Sequence, residues 1–253
     1  MSFMRFLDLT ISDDVPDSKT VWNFREKLID LGVINDLFSI FTENLEKLGL
    51  IVNQGRIIDA SFVEVPRQRN KKDENESIKN GEIPNNFKEN PKKLPQKDTD
   101  ARWTKKNNIS YFGYKNHIKI DSKSKIIVKY MVTSASVHDS RALEGLLDAN
   151  DEGQDLHADS AYTGKNLDKT ISNRKITGKI IEKGYKNKLL TGEQKTFNKE
   201  KSKIRSRVEH VFGFMEQCMN GMKVKNIGIQ CVTAVIGLMN LTYNMFRKVQ
   251  LVG

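Results

Sequence analysis

Three acidic residues occupy contexts that suit shared chemistry. Asp59 lies in Ile57-Ile58-Asp59-Ala60-Ser61, Asp159 in His157-Ala158-Asp159-Ser160-Ala161-Tyr162, and Glu209 in Arg207-Val208-Glu209-His210. The first two end short apolar or β-prone runs, and the third falls on a strongly patterned helix. Carboxylates are the ligands that hold Mg²⁺ against phosphate oxygens, and a pair of such ions drives in-line displacement at phosphorus. Each residue also has a plainer role open to it. Asp59 can begin a turn or accept from a neighbouring amide, Asp159 can cap the helix after it, and Glu209 can pair with Arg205 one helical turn earlier.

The rest of the chain must hold these groups and whatever they act on. Net charge is +10 over 253 residues, which favours an anionic partner. Residues 165–207 carry 14 Lys or Arg against 4 Asp or Glu, a surplus of 14 − 4 = 10 that equals the excess of the whole chain. That segment lies between the second and third acidic residues, where it can face a phosphate backbone. A solvated basic face is the alternative. No stretch reaches the roughly 20 apolar residues of a bilayer span, and the opening residues are too quickly polar for a secretory signal. Cys218 and Cys231 show no paired spacing, so they are expected to be reduced and buried, as in a cytosolic protein. His117, His157 and His210 have no zinc-ligand spacing with them.

Hydrophobic periodicity sets the order of elements. A first helix is capped by Asp17 or Ser18 and carries Val21, Phe24, Leu28 and Leu31 on one face; Gly32 ends it. A second carries Ile34, Leu37, Phe41, Leu45 and Leu48 and stops at Gly49. Residues 56–65 read as a strand rich in β-formers. From residue 66 to about 108 the pattern dissolves, with Pro66, Pro84, Pro91 and Pro95 amid mixed charges, and a long loop is expected. Residues 111–120 and 126–133 form an antiparallel hairpin around the turn at 121–124. A short helix opens at His138-Asp139-Ser140, where capping and a place near the site both remain open to His138. Residues 155–159 are a strand, 164–172 a helix and 175–181 a strand. One long helix is expected from about 198 to Asn220-Gly221, with Ile204, Val208, Val211 and Met215 as its core stripe. An apolar helix over 229–246 closes the chain. Mixed strands with interleaved helices imply an α/β fold, with the sheet covered on its faces.

Several stretches together carry a family resemblance. They are Ile57-Ile58-Asp59-Ala60-Ser61-Phe62-Val63-Glu64-Val65-Pro66-Arg67-Gln68-Arg69-Asn70, Asp100-Ala101-Arg102-Trp103-Thr104-Lys105-Lys106, Tyr111-Phe112-Gly113-Tyr114-Lys115-Asn116-His117, Ala158-Asp159-Ser160-Ala161-Tyr162 and Arg205-Ser206-Arg207-Val208-Glu209-His210-Val211-Phe212-Gly213. In this order the chain resembles a DDE-type bacterial insertion-sequence transposase of the insertion sequence five group. The resemblance implies a ribonuclease-H-like mixed sheet with flanking helices over residues 53–253, interrupted by a basic insertion at about 66–108. Residues 1–52 would be a helical segment, the end of a larger DNA-binding or dimerisation domain. Asp59, Asp159 and Glu209 would be the catalytic, metal-binding triad, holding two Mg²⁺ or Mn²⁺ ions. Arg67, Arg69, Trp103, Lys105, Lys106, Arg205 and Arg207 would meet DNA. The partners implied are double-stranded DNA, both transposon ends and target, and further copies of the chain, with no membrane, in the bacterial cytoplasm beside the nucleoid.

Two departures stand out. The wider family often has Tyr seven residues before the Glu and Lys seven after, where this chain has Ser202 and Glu216. The chain also opens at a methionine inside what looks like the preceding helical domain. Both leave a second expectation in place: a shortened, catalytically impaired copy that only binds DNA or a full-length transposase.

Overall fold

The computed structural model describes residues 4–5, 7–184 and 189–253. Its centre is β1 (Arg56–Glu64), flanked by two partners that together fix the site. On one side β3 (Ile109–Asp121) runs antiparallel, with Arg56 opposite Asp121 and Glu64 opposite Gly113. On the other, β5 (Asp155–Ala158) runs parallel, with Arg56 beside Leu156 and Ile57 beside His157. β6 (Thr177–Ile180) continues the parallel half, and β4 (Ile127–Ser134) returns from β3 as the expected hairpin. β2 (Arg102–Lys106) pairs with the start of β3, giving the order β2-β3-β1-β5-β6 with β4 also on β3. This is a curled mixed sheet with helices packed on its faces.

The two-residue period of β1 divides its side chains between two cores. Ile57 and Val63 pack with Tyr114, Ile118 and Ile120 of β3 beneath α8 (Arg207–Cys218) and α9 (Ile229–Val252), through Val208, Val211, Met215, Val232 and Ile236. Ile58 points the other way and packs with Leu156, Ala158 and Tyr162. That core also takes in Leu143 and Leu146 of α5 (Leu143–Leu146) and Ile171 of α6 (Lys165–Asn173). Asp59 shares its face with Ile57 and Val63, so it looks toward α8.

Ions are buried at the start of β1. Arg56 reaches Asp121 at 3.2 Å and Asp151 at 3.1 Å, while Lys119 reaches Asp151 at 2.7 Å and Asp148 at 2.6 Å. Buried charges of this kind persist only when every one is paired.

Several elements depart from expectation. The single helix expected from about residue 198 is two: α7 (Gly192–Arg205), opened by a Thr191–Gln194 capping box, and then α8. Ser206 sits between them, and its hydroxyl donates to the Lys203 carbonyl at 3.1 Å. Such back-bonding competes with the helix ladder. The segment expected to be a patternless loop holds α3 (Lys72–Lys79), α4 (Asn85–Lys88) and β2. It is organised by a polar centre rather than an apolar stripe. Buried Glu74 accepts from Lys93 at 2.9 Å, Asn86 at 2.5 Å and the Lys71 amide at 2.7 Å. Those bonds, led by Lys93, hold its carboxyl down to about 2.

In α1 (Ser18–Asp30) the expected stripe is not buried: Val21, Phe24 and Leu31 are exposed, and Ile29 instead packs with Ile34 and Ala234. The helix lies at the edge of the fold and meets its neighbours along one corner. α2 (Ile34–Lys47) buries Ile34, Phe38 and Leu45 and leaves Leu37 and Leu48 outside. The cysteines are free but not buried: Cys218 is exposed and Cys231 half-buried. α9 is 24 residues long and holds an 18-residue window of mean hydropathy 1.2, so by length and composition alone it could cross a membrane, contrary to the expectation that no stretch is apolar enough. Its inward face, including Val232, Ile236, Asn240 and Asn244, is packed into the protein.

Candidate active site

The parallel register of β1 and β5 brings the first two acids together. Arg56 pairs with Leu156 and Ile57 with His157, so the same register carried two residues on sets Asp59 level with Asp159, just past the end of β5. Ligand sites in open α/β sheets favour this carboxyl edge. Each acid also keeps a local hydrogen bond. Asp59 Oδ1 accepts from the Ala60 amide at 2.8 Å, and Asp159 Oδ1 accepts from the Ala161 amide at 2.8 Å, capping the turn at Ser160–Tyr162. The charges sense one another: Asp59 is raised to about 6, chiefly by burial and further by Asp159, against the opposing pull of the Ala60 amide, Arg205 and Lys106.

Arg205 joins the third acid to the first. It ends α7, and its Nη1 donates to Asp59 Oδ2 at 2.7 Å while Nη2 donates to Glu209 Oε1 at 2.8 Å. The Asp59 and Arg205 side chains are 18% and 19% exposed, whereas that of Glu209 is 60% exposed. Glu209 follows the buried Val208 in the first turn of α8, which leaves it at the rim. The plainer roles weighed for Asp59 and Glu209 therefore occur and coexist with the convergence, whereas the helix after Tyr162 is capped by Gly164 and Asp159 caps the turn at Ser160–Tyr162 instead.

Among the described residues, no group of three or more His, Cys, Asp and Glu side chains is set closely enough to hold a metal ion. The donor chemistry still fits a hard divalent cation. All three groups are carboxylates, Asp59 is buried without enough positive charge to keep its carboxyl at the ordinary value, and a cation already lies between Asp59 and Glu209. The exposed Glu209 side chain is the one that must turn to complete the set.

The other sequence-derived residues fall into two groups. Arg67, Arg69, Lys105 and Lys106 are exposed, and Trp103 is 47% exposed. Arg67 lies 5.6 Å over the Trp103 ring and Lys106 5.7 Å over Phe62. Trp103 also lines a cavity of about 450 Å³ with Phe112, Asn70, Asn75, Lys79 and Arg102. Arg205 and Arg207, in contrast, are engaged internally, the second donating to the Ser122 carbonyl at 2.8 Å.

Sequence reasoning assigned no role to several groups nearby. Tyr162 is fully buried, its hydroxyl has no hydrogen-bond partner among the described residues, and burial together with the charges of Asp139, Asp59 and Asp159 pushes its pKa well up. Lys115 pairs with Asp139 at 2.8 Å. Buried His117 bonds Thr133 at 2.8 Å and is held neutral by burial, down to about 4. Their only sequence signal was membership of the quoted motifs. His138 takes the capping role, accepting from the Ser140 amide at 3.3 Å. Glu216, at the family's Lys position, accepts from the Met222 amide at 3.3 Å.

The family described as "Transposase DDE domain" matches residues 52–245, a span that includes all three acids. Among solved structures the chain is similar to the cryo-EM structure of the piggyBac transposase synaptic complex with hairpin DNA. Identity is 11% and the TM-score 0.44, over 92% of this chain and 54% of that one, so the chain spans about half the length of that protein.

Proposed function

This chain belongs to the transposase DDE-domain family, and on that premise we propose that it cleaves DNA at transposon ends and joins the freed end to target DNA. The observation that carries the reading is the level placement of Asp59 and Asp159 on neighbouring parallel strands, with Glu209 tied to Asp59 through Arg205. Asp59, Asp159 and Glu209 would hold two Mg²⁺ or Mn²⁺ ions. When bound, such ions make water a nucleophile at neutral pH and stabilise the attacking and leaving oxygens of an in-line displacement.

In the first step a water oxygen attacks phosphorus and the bond from phosphorus to the 3′ oxygen breaks, leaving a 3′-OH and a 5′ phosphate. In the second, that 3′ oxygen attacks a phosphorus of the target, the new ester bond forms as the target's own bond from phosphorus to its 3′ oxygen breaks, and the proton lost by the attacking hydroxyl is balanced by one gained by the departing oxygen. The protein contributes placement and charge. Arg67, Arg69, Lys105 and Lys106 present exposed cations that position a phosphate backbone without reading its sequence, and Trp103 offers an exposed stacking face. The basic segment 165–207 extends that field. The quoted motifs support a member of the insertion sequence five group, and on that reading the chain would act in the bacterial cytoplasm beside the nucleoid as a homo-oligomer.

One observation favours a second reading, a copy that binds DNA without cutting it: Glu209 is held by Arg205 rather than grouped with both aspartates. Supercoiled plasmid with Mg²⁺ separates the two. Nicking that requires both the cation and Asp159, lost in Asp159→Ala and in EDTA, is the expected result. Salt-sensitive binding with no nicking would establish the second reading instead.

A further inference from the structure

Arg205 makes both of its terminal donations to the proposed metal-binding carboxylates, Asp59 Oδ2 at 2.7 Å and Glu209 Oε1 at 2.8 Å. The remaining Asp59 oxygen accepts from the Ala60 amide. The guanidinium thus holds the oxygens that a divalent ion would need, and it does so while one of its three nitrogens stays unused. Its Nε is buried and has no partner among the described residues. A buried unpaired donor is costly, and its natural acceptor is an anion that brings oxygens of its own. Phosphate supplies these, in the forked geometry to which arginine is matched. The setting also lets the side chain move, because it ends α7 beside the break at Ser206 and its second partner, Glu209, is largely solvent-exposed.

We propose that Arg205 is a positioning residue that couples metal binding to DNA binding: it bridges Asp59 and Glu209 in the free protein and releases them when a DNA phosphate takes over its guanidinium. The inference rests on the proposed function, since it concerns the same three acids. One guanidinium then partly offsets Asp59 and Glu209 without DNA, and the ion and the phosphodiester arrive together. Coupling of this kind is reciprocal, so DNA must tighten the metal by the factor by which the metal tightens DNA.

The test is Mn²⁺ binding by the full chain, read from the loss of the free-ion electron paramagnetic resonance signal, with and without a short DNA duplex and after subtracting Mn²⁺ bound by the duplex alone. In the wild type the duplex should raise Mn²⁺ affinity about tenfold, within the usual range of site-to-site coupling. Arg205→Gln should bind Mn²⁺ about tenfold more tightly than wild type without DNA, and the duplex should add little. Arg205→Lys keeps the charge but loses the fork; it should move in the same direction and carries the test if the Gln variant does not fold by circular dichroism. Lys106→Gln removes a nearby cation that donates no hydrogen bond to Asp59, and so measures the effect of charge alone. If the Arg205 variants bind no tighter than Lys106→Gln, or keep the full effect of DNA, the coupling role is overturned while the metal site stands. If no Mn²⁺ binding is lost in Asp159→Ala, the metal site itself is overturned, and this inference with it.

Discussion

Asp59→Asn removes a charge while keeping the shape of the side chain, so it isolates what ionisation of this buried acid costs the fold. Burial, with a smaller push from Asp159, raises Asp59 from 3.8 to about 6 even though Arg205 touches it. The folded state therefore holds this proton more tightly than the unfolded chain does. The resulting stability is complete below about pH 3.8 and is lost as pH rises through 6. At 1.36 kcal/mol per tenfold change in proton affinity, the loss reaches about 3 kcal/mol by pH 8. Asn cannot ionise, so the variant should gain on the wild type by that amount between pH 4 and pH 8. In urea titrations with a slope of about 3 kcal/mol/M, the gap between midpoints should widen by about 1 M across this range. Midpoints that stay parallel at every pH would refute the reasoning, because they would mean that Arg205 fully neutralises the acid. Mg²⁺ should stabilise the wild type at pH 8 and leave Asp59→Asn unmoved, since an ion bound only by the folded state adds its binding free energy.

Three further outcomes can be checked by the same denaturation or by simple binding. Asp151→Ala removes one of the two carboxylate partners of both Arg56 and Lys119 in the buried ion network and should cost about 3–5 kcal/mol of unfolding free energy; a loss below about 1 kcal/mol would mean that water reaches the network. Gly113→Ala should destabilise by about 3 kcal/mol or more, because Gly113 has φ +145° and a Cβ there would strike the Val63 carbonyl oxygen. Gly153→Ala is the control, with φ +76° and open space around it, and should lose about 1 kcal/mol. Trp103→Ala should leave urea stability within about 1 kcal/mol because the ring is 47% exposed. It should weaken binding of single-stranded or unpaired DNA by 1–3 kcal/mol in a fluorescence anisotropy titration; unchanged affinity would remove Trp103 from the interface.

Alternation, runs of β-formers and helical period were enough to place β1, the β3–β4 hairpin, β5, β6 and the core stripe of α8, because the apolar pattern of each is written locally. The acids were legible as well, since each ends or adjoins such an element. The insertion was not. Its order depends on Glu74 meeting Lys93 and Asn86, contacts that leave no period in the sequence. The exposed face of α1 was misread for a related reason: an apolar stripe states that a face can be buried, not that the fold has a partner to cover it.

The break at Ser206 and the bridge through Arg205 belong to tertiary structure alone. Sequence spacing gave Arg205 a single partner, Glu209, one turn away on an unbroken helix. Parting α7 from α8 is what lets the same guanidinium also meet Asp59, 146 residues earlier in the chain. The level placement of Asp59 and Asp159 likewise comes from strand register, which hydrogen bonds between distant segments decide. The sequence by itself thus singled out the candidate groups and the elements that bear them. Their mutual neutralisation was decided by the packed fold, because the energy of a buried charge depends on every neighbour that burial brings to it.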